Sequence, residues 1–107
     1  MYVKIASVEE AELGEGVSRK ILASGGTMMT VQFMFEKGAV CTPHTHVHEQ
    51  VGYVLQGCFE LTLGNDKTTL EVGDTYYVPS NTVHGVVALE DGVLLDVFTP
   101  QRQDFLE

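Results

Sequence analysis

All four histidines of this 107-residue chain fall in two short stretches. His44, His46 and His48 stand in CTPHTHVHEQ, and His84 stands in PSNTVHG, where random placement would scatter them. On an extended strand, residues i and i+2 share a face, so His44 and His46 would present two imidazoles side by side. That is the arrangement a transition metal needs for two adjacent ligands. Gln50 has the same parity and carries an amide oxygen, and His84 lies on a distant strand that a closed sheet would bring opposite. His44, His46, Gln50 and His84 are therefore the expected ligands of one divalent transition ion, with Ni, Zn, Mn and Fe all open. Three imidazoles and one amide oxygen form a neutral shell, which leaves the charge of the ion available as a Lewis acid. His48 shares the parity, but a tight site does not accept every even position, so it is read as a pocket residue. The alternative is a solvated loop with three histidines. Such a loop would not need His84 beside a Pro-x-Asn turn flanked by glycines.

Strands must position these groups. Met29, Val31, Phe33 and Phe35 alternate with Thr30, Gln32, Met34 and Glu36, the period-two pattern of a strand with one buried face. Val51, Tyr53 and Leu55 alternate with Gln50, Gly52, Val54 and Gln56. Phe59, Leu61 and Leu63 alternate with polar neighbours, and Leu70 and Val72 share a face around Glu71. The runs 75–78, 83–89 and 93–99 are β-branched and aromatic, as strands prefer. Gly, Asn, Asp and Pro clusters separate these runs at roughly the 8–12-residue spacing of a sandwich or barrel. Helical periodicity is weak; Val8 to Leu13 is expected to make one turn. The fold class is all-β, and strands this short and numerous close on themselves to hide their edges.

Six Lys+Arg against fifteen Asp+Glu leave a formal net charge of −9, which argues against nucleic acid or an anionic membrane as partner. A small acidic substrate stays open, because one buried arginine outweighs the average field. No apolar run approaches the ~20 residues that span a bilayer, and the N-terminus lacks a signal-peptide pattern. Cys41 and Cys58 do not make a disulfide framework. They read as reduced thiols, with Cys41 close enough to the histidines to be a spare ligand, and the expected location is the cytoplasm.

Two stretches resemble the signatures of the cupin superfamily. The first runs Gly38, five residues, His44-Thr-His46, three residues, Gln50, six residues, Gly57. The second runs Gly73, five residues, Pro79-Ser-Asn81, two residues, His84, three residues, Ala88. The resemblance implies one cupin domain over 1–107, a jelly-roll-like double-stranded β-helix barrel, with motif 1 at 38–57 and motif 2 at 73–88. Three positions depart from the superfamily pattern: Gln50 replaces a glutamate, Asn81 a glycine and Ala88 an asparagine. Asn81 is a mild change, since asparagine tolerates positive φ better than most residues.

EGVSRKILASGGTMMTVQFMFEKGAV, the HTHVHEQVGYVLQG run and LLDVFTPQRQDFL look like the small cupins of the KdgF type, associated with pectin and alginate degradation. Glutamine is the usual ligand at the position of Gln50 in that group. The resemblance implies metal-dependent, non-redox ring opening of 4,5-unsaturated monouronates to the linear keto-aldehyde acid. Asp96, Phe98 and Arg102 match positions that the group uses around its substrate. Asp96 would then shuttle a proton, Arg102 would pair with the carboxylate and Phe98 would wall the pocket. Small cupins commonly pair, so a homodimer is expected. Two other functions stay open: a metal-dependent oxygenase acting on a small molecule, and a non-enzymatic module that binds a sugar acid or a metal.

Overall fold

The computed structural model describes residues 1–106 and contains ten strands in two antiparallel sheets. Six strands form one sheet, in the spatial order β1 (Ala11–Gly14), β2 (Val17–Gly25), β3 (Met28–Phe35), β10 (Gly92–Thr99), β5 (Glu49–Gln56) and β8 (Thr75–Val78). The other four lie in the order β4 (Val40–His44), β9 (His84–Ala88), β6 (Cys58–Leu63) and β7 (Asp66–Glu71). The inner faces meet in a core around Phe59, Val54, Val78 and Leu94, with Phe35 edge-on to Phe59 at 5.3 Å between ring centroids. A second cluster of Met29, Val31 and Phe98 fills one end and is capped by Phe105 of the short helix α1 (Gln103–Leu106). The all-β class expected from the period-two pattern and the jelly-roll-like architecture implied by the cupin resemblance are both observed.

Two local expectations fail. Residues 8–13 make no helical turn: the chain forms a single 3-10 turn at Ile5–Ser7, and Ala11–Gly14 is a strand paired to β2. A free edge of β2 offered more backbone hydrogen bonds than an isolated turn, so tertiary pairing overrode local preference. The second failure concerns β5. Its apolar set points outward, with Val51, Tyr53 and Leu55 each more than two-fifths exposed, while Gln50, Gly52 and Val54 face in.

Turn residues at the barrel end set the histidines in place. Asn81 adopts φ 60°, the left-handed conformation that the superfamily glycine would supply. Its backbone N–H donates to the His46 carbonyl at 2.8 Å. Ser80 Oγ donates to the Val47 carbonyl at 2.6 Å. The Pro-Ser-Asn turn before β9 thus clips the loop between β4 and β5, tying one histidine stretch to the other.

Candidate functional site

His44 ends β4 and His84 opens β9, and the two are register partners across the four-stranded sheet. His46 lies beyond β4, in the loop that bends at Val47 and His48 before β5 begins. The strand argument for His44 and His46 therefore holds only in part. The chain leaves extended geometry after His44, and the Asn81 and Ser80 hydrogen bonds, not sheet pairing, return His46 to the group. The three rings converge: ring centroids are 4.4 Å apart for His44–His84, 4.6 Å for His46–His84 and 5.6 Å for His44–His46. One ligand atom from each lies within 4.8 Å of the others.

Each Nδ1 of this trio lies at a backbone carbonyl, His44 at Thr42 O (3.0 Å), His46 at His48 O (2.9 Å) and His84 at Thr82 O (2.9 Å). A carbonyl only accepts, so each Nδ1 carries a proton, and in the neutral ring the lone pair is left on Nε2. That tautomer is the one a metal requires, fixed by the hydrogen bond on the other nitrogen. Burial lowers the pKa of His84 to about 4, and burial also lowers that of His46. Both rings stay neutral at pH 7, the state that binds a metal.

Gln50 is buried at the start of β5, with Oε1 3.1 Å from His46 Nε2. In the neutral Nδ1–H tautomer the two atoms present lone pairs side by side, as two ligands of one cation would. On its other side the Gln50 side chain acts on Asp96, favouring the ionised carboxylate. Asp96 is 3% exposed on β10 and accepts a 2.7 Å hydrogen bond from the Tyr76 phenol of β8. Burial raises its carboxyl to about 6, against the opposing effect of the Gln50 and Tyr76 hydrogen bonds. Burial raises the Tyr76 phenol as well, and Asp96 adds to the effect.

These groups border a cavity of about 250 Å³, lined by His44, His84, Gln50, Tyr76, Asp96 and Phe98 and reached by Arg102. The volume suits one small molecule more than a polymer. Phe98 is 2% exposed and also packs against His46 at 5.8 Å, serving core and cavity together. Arg102 stands over the rings of Phe98 (5.2 Å) and Phe105 (4.3 Å). Its Nε and Nη2 donate to the two oxygens of Asp104, at 3.2 and 3.0 Å. His48 is not among the residues lining the cavity. It lies in the bend at 47–48, with its ring 5.4 Å from that of His46. Cys41 does line the cavity, with Sγ 3.9 Å from His44 Nδ1, but it is not part of the histidine cluster. Burial keeps its thiol protonated, which is not the ligand form. Both cysteines are free.

Comparison with known proteins decides the family. The cupin domain model matches residues 31–98. The chain belongs to the cupin family. Within it, this cupin is 47% identical over 97 residues to the pectin degradation protein KdgF of Dickeya dadantii (strain 3937), covering 89% of this chain and 88% of the relative. It superposes on the structure of KdgF from a Halomonas species with a TM-score of 0.91, at 40% identity and 97% coverage of both chains. An RmlC-like cupin from Shewanella frigidimarina gives a TM-score of 0.94 at 35% identity, with 97% of this chain and 94% of that one covered. No helix among the described residues of the cupin is long and apolar enough to cross a membrane.

Sequence reasoning did not single out two polar groups at the cavity. Tyr76 was indistinguishable from Tyr77 in TYYV, because each face of β8 carries one phenol. Arg19 lines the cavity too. Its signal was legible, since Val17, Arg19 and Ile21 share the parity of a buried strand face.

Proposed function

We propose that this cupin opens the ring of 4,5-unsaturated monouronates released by pectin or alginate breakdown, with a divalent metal at His44, His46, His84 and Gln50. One observation carries the reading: a buried carboxyl near pKa 6 shares a cavity with the convergent histidine face. The likeness to KdgF, a pectin degradation protein, supports the substrate class.

The substrate is a cyclic hemiacetal whose ring oxygen is also an enol ether. Opening requires that the anomeric hydroxyl lose a proton and that the bond from the anomeric carbon to the ring oxygen break. The electron pair moves onto that oxygen, and the vinyl carbon then takes up a proton. The result is an aldehyde and a ketone, with no net gain or loss of atoms. A bound divalent ion would supply a Lewis-acid charge for the developing oxyanion.

The chain's residues handle the proton. With a pKa near 6, Asp96 is matched to accept and return a proton at neutral pH. Tyr76 holds one oxygen of that carboxyl, and the Gln50 amide restrains it from the metal side. Arg102 fixes a positive charge at the cavity, favouring an anionic substrate. Phe98 and Phe105 supply apolar walls that thin the water around these groups.

The test follows the ultraviolet absorbance of the conjugated double bond after a polysaccharide lyase has generated unsaturated monouronates. Faster decay with the cupin, abolished by a chelator and restored by divalent metal, is the expected result. No acceleration in any metal form overturns the reading.

A further inference from the structure

We propose that Arg19 forms a carboxylate-binding subsite in the cavity, taking the acid group of the substrate through its guanidinium. The inference rests on the reading that this cavity is the substrate site, and deepens it. The chain has two arginines, Arg19 and Arg102, and both line this cavity in a protein of net charge −9. They lie on the ring of the same residue, Phe105, with Arg19 Cζ 4.0 Å and Arg102 Cζ 4.3 Å from its centroid.

Their hydrogen bonding differs. Arg102 has spent the fork of Nε and Nη2 on Asp104. Arg19 makes no hydrogen bond or ion pair with any described residue, and its Nε is buried with no partner. Arg19 is half-buried on the inward face of its strand, between Val17 and Ile21, and its buried Nε lacks an acceptor that an anion in the cavity would supply. Asp104 lies close enough to act on Arg19 through space, yet it pairs with Arg102. Guanidinium matches carboxylate in planar, two-pronged geometry, and the aromatic ring beneath holds the plane in place. A small molecule with one carboxylate is therefore the ligand class this subsite selects.

Isothermal titration of the metal-loaded protein with galacturonate and with its methyl ester tests the subsite. These probes differ only at the acid group, a charged carboxylate in one and a neutral methyl ester in the other, and neither contains the double bond. Wild type should favour the acid over the ester. Arg19→Gln should weaken acid binding about 10- to 100-fold and leave the ester unchanged. Arg19→Lys, which keeps charge without the fork, should fall between. With unsaturated monouronate, Arg19→Gln should raise KM while kcat changes little.

Should Arg19→Gln fail to fold by circular dichroism, Arg19→Met keeps the stem over Phe105, and the same loss of acid preference is expected. No acid preference in wild type, or preference retained in the folded Arg19 variants, overturns the proposal. Acid preference that depends on Arg19 in a protein that turns over no unsaturated uronate keeps the subsite and removes the ring-opening reading instead.

Discussion

Tyr76 reaches Asp96 by passing over Gly52. The three are consecutive register partners on adjacent strands, Tyr76 on β8, Gly52 on β5 and Asp96 on β10. The phenol donates to Asp96 Oδ1 at 2.7 Å, and a Cβ at position 52 would overlap the tyrosine ring. Glycine at 52 is thus what lets one side chain span a whole strand. Gly52→Ala should displace the ring and break the hydrogen bond, whereas Tyr76→Phe removes the bond and keeps the packing. A hydrogen bond to an ionisable partner is worth about 1.5–3 kcal/mol. Both variants should raise the Asp96 pKa above its value near 6, because the carboxylate loses a donor. Carbonyl-region NMR titration of the metal-free protein reads that directly. An unchanged Asp96 titration in Tyr76→Phe would show that the bond does not form in solution.

Removal of one imidazole should disable the metal site out of proportion to its size. His44, His46 and His84 converge with Nδ1 protons already committed to backbone carbonyls. We expect His84→Ala to weaken nickel or zinc binding by more than the 10- to 100-fold typical of losing a supporting hydrogen bond. Metal should raise the Tm of wild type and leave that of His84→Ala nearly unmoved. Calorimetry with and without metal compares the two. Equal metal-induced shifts would exclude His84 as a ligand.

Much of this architecture was readable in the sequence, and the exceptions share a cause. Phe33, Phe35, Phe59 and Leu61 declare their strands because core packing demands alternation, and the apolar cavity wall to which Phe33, Phe35 and Leu61 also belong asks for the same residue types. On β5 the rule inverts. Gln50 must face the histidines and Gly52 must make way for Tyr76, so the inner face gave up apolar bulk to the site. The outward Val51, Tyr53 and Leu55 then looked like the core face. Beyond His44 the chain leaves the strand, and its path is held by Asn81 and Ser80, residues more than thirty positions away. Local pattern carries no information about such a tie.

Stability of the metal-free protein should depend on pH through Asp96 with an unusual sign. Its carboxyl rises from an ordinary 3.8 to about 6 on folding, so the fold binds that proton more tightly than the unfolded chain does. The contribution is fully present below 3.8 and is lost as pH rises through about 6. Over that interval the loss is on the order of 3 kcal/mol. His84, lowered to about 4, acts oppositely, stabilising above 6.5 and losing that contribution as pH falls. Asp96→Asn abolishes the first effect and leaves the second. The stability of wild type relative to Asp96→Asn should therefore fall between pH 4 and pH 7, measured by urea unfolding under chelation. A difference that stays flat across this range would mean that Asp96 is ionised throughout.

The outward face of β5 and β8 points to self-association. Val51, Tyr53, Leu55 and Tyr77 are 41–49% exposed, and Val51 is the register partner of Tyr77. Together they leave an apolar strip on the six-stranded sheet, the kind of surface that a soluble chain covers with a partner. We propose that a second copy of the cupin covers it, forming a homodimer across the two sheets. Tyr53→Lys places a charge in the strip, opposite its like in a two-fold interface. Light scattering should give the mass of two chains for wild type and of one chain for Tyr53→Lys. The cavity faces the other side of the sheet, so metal binding should survive the substitution. A wild-type mass of one chain across the micromolar range would rule out the dimer.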